Sequence, residues 1–203
     1  MPILKDRQYR ALEMATQQQE EKKNKFNSDY YVEGYATTFE RYALSYYGEN
    51  PIYEQFMPDC FRDCDMSDVI FQYDHHGKVY ARMSNNTLTV EPDEKGLLVC
   101  ADLSKTTGSR EMFEDIQSGL VTKMSWGFMP DYETIEFDAN TRTIIHHKIL
   151  KIYDVSAVSI PANNDTEIQA RNFVNGAIDK FMGEYQKRKN HIRKIKLLLE
   201  VAK

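Results

Sequence analysis

The sequence predicts an α+β fold dominated by β-structure, with an antiparallel, barrel-like core flanked by a few helices. Three observations carry that prediction. Short segments dense in aromatic and β-branched residues recur between residues 31 and 160, the composition of half-buried strands. Turn-forming residues join several of them as hairpins. Only one internal stretch, between Ser109 and Gly119, sets apolar residues at helical spacing.

Residues 1–27 read as a polar leader. From Tyr9 to Lys25 the chain is rich in Gln, Glu and Lys, with Leu12 almost its only large aliphatic residue, so an exposed helix or a disordered segment is expected. Strand character begins with Tyr31-Val32-Glu33-Gly34-Tyr35-Ala36-Thr37, placing the start of the main domain, 28–165, near Asn27. Val69-Ile70-Phe71-Gln72-Tyr73 is a second strand. Thr87-Leu88-Thr89-Val90 and Gly96-Leu97-Leu98-Val99-Cys100-Ala101 form a hairpin across Pro92-Asp93-Glu94-Lys95. The helix has Ser109 as a plausible N-cap, Gly119 as its C′ glycine, and Met112, Phe113 and Ile116 on one face. Two further extended segments, 121–128 and 143–160, follow, the second after a turn at Asp138-Ala139-Asn140. Pro161-Ala162-Asn163-Asn164 closes the β region. Residues 166–203 set Phe173, Ile178, Phe181 and Tyr185 at helical spacing ahead of Lys187-Arg188-Lys189, Arg193-Lys194 and Lys196, an amphipathic basic helix that either packs on the core or docks an acidic partner.

The 203 residues are 41% hydrophobic and 28% charged, the balance of a globular protein with a buried core. A net charge of -5 argues against a direct nucleic-acid role, which needs a field of Lys and Arg. No apolar run approaches the roughly 20 residues of a membrane span. The opening Met-Pro-Ile-Leu-Lys-Asp-Arg lacks the apolar core of a secretory signal, so the cytosol is the expected compartment. There the odd set Cys60, Cys64 and Cys100 reads as free thiols.

Candidate chemistry centres on Ser125. In Lys123-Met124-Ser125-Trp126-Gly127-Phe128, strand alternation sends Met124, Trp126 and Phe128 to one face and Ser125 with Gly127 to the other. The absent side chain of Gly127 leaves room beside the hydroxyl. A serine needs a base within hydrogen-bond reach to act as a nucleophile. Five histidines are available: His75 and His76 at the end of the strand at 69–73, His146 and His147 within an extended segment, and His191 in the basic tail. Asp154 shares a face with Leu150, Ile152, Val158 and Ile160, and a carboxylate among apolar neighbours needs a partner. That partner is either a backbone amide or cation, or a histidine it would orient. Two rivals are weaker: a zinc site from Cys60, Cys64 and the histidines, whose spacing is not that of common zinc modules, and a Ser-Lys pair using Lys123.

In order and spacing, several segments resemble the prohead (capsid-maturation) serine proteases of tailed phages, whose core is similar to the herpesvirus assemblins. They are Val32-Glu33-Gly34-Tyr35-Ala36, Glu54-Gln55-Phe56-Met57-Pro58-Asp59-Cys60-Phe61, Asp74-His75 followed by Val79-Tyr80-Ala81-Arg82, Asp93-Glu94-Lys95-Gly96-Leu97, Gly119-Leu120-Val121-Thr122-Lys123-Met124-Ser125-Trp126-Gly127-Phe128 and Asp154-Val155-Ser156-Ala157-Val158-Ser159-Ile160-Pro161-Ala162. The resemblance implies Ser125 as nucleophile, His75 as base and Asp154 as third member, with His76 open as the base and His146 or His147 open in the third place. It implies no metal or organic cofactor. It further implies cleavage of the scaffold region of the major capsid protein, and of the protease itself, inside the assembling procapsid in the host cytoplasm, with self-association. The alternative is a non-catalytic capsid-assembly scaffold protein of the same fold.

Overall fold

The computed structural model describes residues 8–13, 25–47 and 50–159. The chain divides into two units, Met1–Asn164 and Asp165–Lys203, and every described residue belongs to the first. The expected basic tail helix and the closing Pro161-Ala162-Asn163-Asn164 therefore lie outside the described residues, as do residues 14–24 of the leader.

The strands are β1 (Gln8–Glu13), β2 (Tyr31–Thr38), β3 (Tyr42–Tyr47), β4 (Asn50–Phe56), β5 (Ile70–Tyr73), β6 (His76–Arg82), β7 (Leu88–Pro92) and β8 (Gly96–Asp102); after helix α1 (Thr107–Gln117) come β9 (Lys123–Pro130), β10 (Ile135–Asp138), β11 (Thr143–His146) and β12 (Ile149–Val158). The class is α+β with β-structure dominant. Instead of one sheet closing into a barrel, the described strands form three sheets, ordered β1-β9-β12-β5-β6, β10-β11-β4-β3 and β2-β8-β7. Two pairings, β11 with β4 and β12 with β5, are parallel. Strand composition marks which segments are extended, but a parallel neighbour is chosen by long-range packing.

β1 departs from the expected helix or disorder. Among its described side chains Gln8 and Arg10 are buried, and both are polar, so they give no hydrophobic alternation to reveal a strand. The hairpin of β7 and β8 forms as expected. The extended segment at 143–160 breaks into β11 and β12 at His147-Lys148. Helix α1 starts earlier than expected: Thr106, not Ser109, is its N-cap, with Thr106 Oγ1 accepting from the Ser109 N–H at 3.1 Å. Ser109 is buried and donates its hydroxyl to the Tyr80 carbonyl at 2.9 Å, fastening the helix to β6. Gly119 ends the helix at φ +78, the left-handed C′ geometry glycine allows, and Met112 and Ile116 face the core.

The five-stranded sheet has two unlike faces. Trp126 and Phe128 on β9, with Val155 and Ala157 on β12 and Phe71 on β5, point into the main core. Trp126 stacks on Phe128 with centroids 4.1 Å apart and meets Phe56 of the second sheet edge-on at 5.2 Å, arrangements that aromatic quadrupoles favour. The pleat turns Ser125 and Gly127 to the opposite face, beside Ser156 and Asp154 across the ladder. Truncating Trp126 to Ala should cost about 3–5 kcal/mol, read as a lower denaturant midpoint at unchanged slope, because the same strand anchors the core and holds Ser125.

Candidate active site

Ser125 is buried in the middle of β9. Its register partner on β12 is Ser156, and Gly127 is opposite Asp154. Regular alternation would have put Asp154 on the face of Ile152; the structure corrects this. Between the pairs Ile152↔Phe128 and Asp154↔Gly127 the ladder shifts register, with Tyr153 as the extra residue. One inserted residue inverts the pleat, so Ile152 stays in the core while Asp154 emerges on the face of Ser125.

The histidine arrives from a two-residue hairpin turn. β5 and β6 pair with Tyr73 opposite His76, leaving Asp74 and His75 as the turn. Their φ values are +47° and +58°, the left-handed pair that a tight type I′ connection requires. Such a backbone is costly for a histidine and persists where its surroundings hold it. Three contacts to the end of β12 do so: the Asp74 N–H donates to the Ala157 carbonyl at 3.0 Å, the Ser159 N–H donates to Asp74 Oδ1 at 3.1 Å, and the His75 N–H donates to Ser156 Oγ at 3.3 Å.

The result is a continuous chain of polar atoms. His75 Nδ1 lies 2.5 Å from Asp154 Oδ1, and His75 Nε2 lies 2.7 Å from Ser125 Oγ. Asp154 is 1% exposed and His75 15%. With a carboxylate at Nδ1, the tautomer that fits carries its proton there, so Nε2 accepts from the Ser125 hydroxyl. A serine, an imidazole and a buried carboxylate in this order form the arrangement that lets a hydroxyl lose its proton on attacking a carbonyl. Among the remaining candidates, His76 is exposed and donates from Nδ1 to the Asp74 carbonyl at 2.6 Å. His147 pairs with Glu136 at 3.0 Å on the surface. Lys123 begins β9, while the Ser125 hydroxyl meets His75. Among the described residues no three His, Cys, Asp or Glu side chains gather as a metal-binding group, and Cys60, Cys64 and Cys100 are free thiols. Burial pushes the thiols of Cys60 and Cys64 up to about 12, which keeps them protonated and unreactive. His191 lies outside the described residues.

His146 belongs to a second buried network, which sequence reading did not find. Glu54 is fully buried and accepts from Arg10 Nε at 2.5 Å, Arg10 Nη2 at 2.7 Å and His146 Nε2 at 2.8 Å, as well as from the Tyr42 hydroxyl. Arg10 also spans to Gln8 Oε1 at 2.7 Å. This network fastens β1 beside β9, where Ala11 is opposite Ser125. The signal for it was a lone Glu in an aromatic-rich segment and one of two Arg in a polar leader, distant partners that no local pattern links.

These features define a β-rich protein with a serine-histidine-aspartate chain on one sheet. Among comparisons with known proteins, the family model described as Caudovirus prohead serine protease matches residues 15–180. The chain belongs to this family and is a serine peptidase of phage capsid maturation, associated with capsid proteins in the assembling prohead. No curated protein and no solved structure matches it.

Burial alone would raise the Glu54 carboxyl, but the charge of Arg10 and the hydrogen bonds from His146 and Arg10 outweigh it and hold the group well below the usual carboxylate range. A depressed folded-state pKa contributes stability that is present above the unfolded value, roughly 4.3, and lost as pH falls through that value toward the folded one. The melting temperature should therefore drop as pH falls below about 4. Arg10→Met, which strands the buried Glu54 charge, should cost about 3–5 kcal/mol at neutral pH and flatten that acid dependence.

Proposed function

We propose that this protein is an endopeptidase that cuts the scaffold region of the major capsid protein, and its own chain, inside the procapsid. Ser125 Oγ attacks the scissile carbonyl carbon. His75 Nε2 takes the hydroxyl proton and later delivers it to the leaving amine, and Asp154 holds the ring and stabilises the imidazolium. Water then repeats the sequence in reverse to release the acyl group. The observation that carries the reading is the unbroken Ser125–His75–Asp154 chain at 2.7 and 2.5 Å in a member of a serine protease family. The chemistry assigned to these three side chains calls for no metal or organic cofactor.

Burial of Ser125 and Asp154 supports it further, since a dry site strengthens the interactions that stabilise the developing charges. Enclosure of enzyme and substrate in one shell raises their effective concentration by orders of magnitude. Self-association in the shell and removal of the leader and tail by self-cleavage belong to the same proposal.

Co-expression with the major capsid protein, followed by intact-mass analysis, tests it. Wild type should yield trimmed capsid protein, and Ser125→Ala or His75→Ala should yield untrimmed protein, with rates lowered by about 10⁴-fold or more. His76→Ala should cleave like wild type. Identical masses for wild type and Ser125→Ala would favour a non-catalytic scaffold of the same fold.

A further inference from the structure

Ser156 is wholly buried, and the role of its hydroxyl is not explained by the strand it sits in. The main chain of β12 is already paired on both sides, to β9 and to β5. A buried hydroxyl with one proton and two lone pairs must find partners or cost stability. The partners it finds are two members of the triad. Ser156 Oγ donates to Asp154 Oδ1 at 3.0 Å and accepts from the His75 N–H at 3.3 Å.

Together with the bond from His75 Nδ1 to Asp154 Oδ1, these contacts close a ring. The main-chain amide of His75 binds the serine, the serine binds the carboxylate, and the carboxylate binds the imidazole of the same His75. The ring fixes the two variables that place Nε2: the left-handed backbone of His75 and the plane of the Asp154 carboxylate. Neither is fixed by covalent geometry, and misplacement of an imidazole by an ångström is enough to cost most of a proton-transfer advantage.

We infer that Ser156 is a positioning residue for catalysis, acting through His75 and Asp154 and touching no substrate. The inference rests on the triad reading above, and its test separates the two. The full chain is treated with a fluorophosphonate, a probe in which Ser125 Oγ displaces fluoride from phosphorus while His75 takes the hydroxyl proton. Modification is located by mass spectrometry, and the inactivation rate constant is resolved from the probe's binding constant. Wild type should be modified at Ser125. Ser156→Ala and the volume-preserving Ser156→Cys should lower the inactivation rate constant by about 10- to 100-fold, with the probe's binding constant unchanged. In an Asp154→Ala background, Ser156→Ala should remove little more, because residues acting as one unit are not additive. Wild-type reactivity of both Ser156 variants, with Ser125→Ala unreactive, would overturn the inference and leave the triad standing. Losses that multiply with those of Asp154→Ala, or a lower melting temperature with an undiminished inactivation rate constant, would make Ser156 merely structural and overturn it too. Wild type unmodified at Ser125, or undiminished modification in His75→Ala, would sink the triad reading and this inference with it.

Discussion

The structure turns on the burial of one carboxylate. Asp154 is almost completely removed from water, and a buried anion is tolerated only where donors converge on it. Its donors include the His75 ring and the Ser156 hydroxyl, so three separate features must agree. β12 must bulge at Tyr153 to bring the carboxylate to the correct face. β5 must run parallel beside β12, so that its hairpin turn ends above that face. The turn must accept left-handed backbone at Asp74 and His75. Each is unfavourable or arbitrary in isolation, and together they satisfy the buried charge.

The strand that carries Ser125, β9, serves both faces of its sheet. Met124, Trp126 and Phe128 supply apolar contacts that fix β9 rigidly, while Ser125 and Gly127, between them in sequence, face the polar side. A serine carried on a core strand keeps its hydroxyl within a few tenths of an ångström of one place, which a loop would not ensure.

Two buried carboxylates, Glu54 and Asp154, illustrate opposite uses of the same group. Glu54 faces a permanent cation, Arg10, from which it accepts two hydrogen bonds, so its charge is neutralised and the pair ties β1 into the core. Asp154 faces an imidazole, whose charge depends on a proton. In the proposed mechanism that proton arrives from Ser125 during attack, and the carboxylate is then paired most strongly when the transition state needs it.

The strands at 31–37, 69–73, 87–90 and 96–101, the single helix and the outward face of Ser125 were legible from local spacing, because side-chain period is a property of a few neighbouring residues. The family, too, was readable from short segments in order. β1 was not, since its inward residues Gln8 and Arg10 are polar and their partner Glu54 stands far away in sequence. Nor was the face of Asp154, which regular alternation assigns wrongly and one bulge residue reverses. The family resemblance picked His75 over His76, but composition and spacing did not, and which ring reaches Ser125 is a matter of tertiary structure. Both rings follow the same strand, and only the left-handed turn clamped to β12 sends one to Ser125 and leaves the other at the surface. Sequence determined what each segment is, because that depends on local composition; which strand lies beside which, and in what register, depends on contacts between residues 50 or more positions apart, and these only the folded chain supplies.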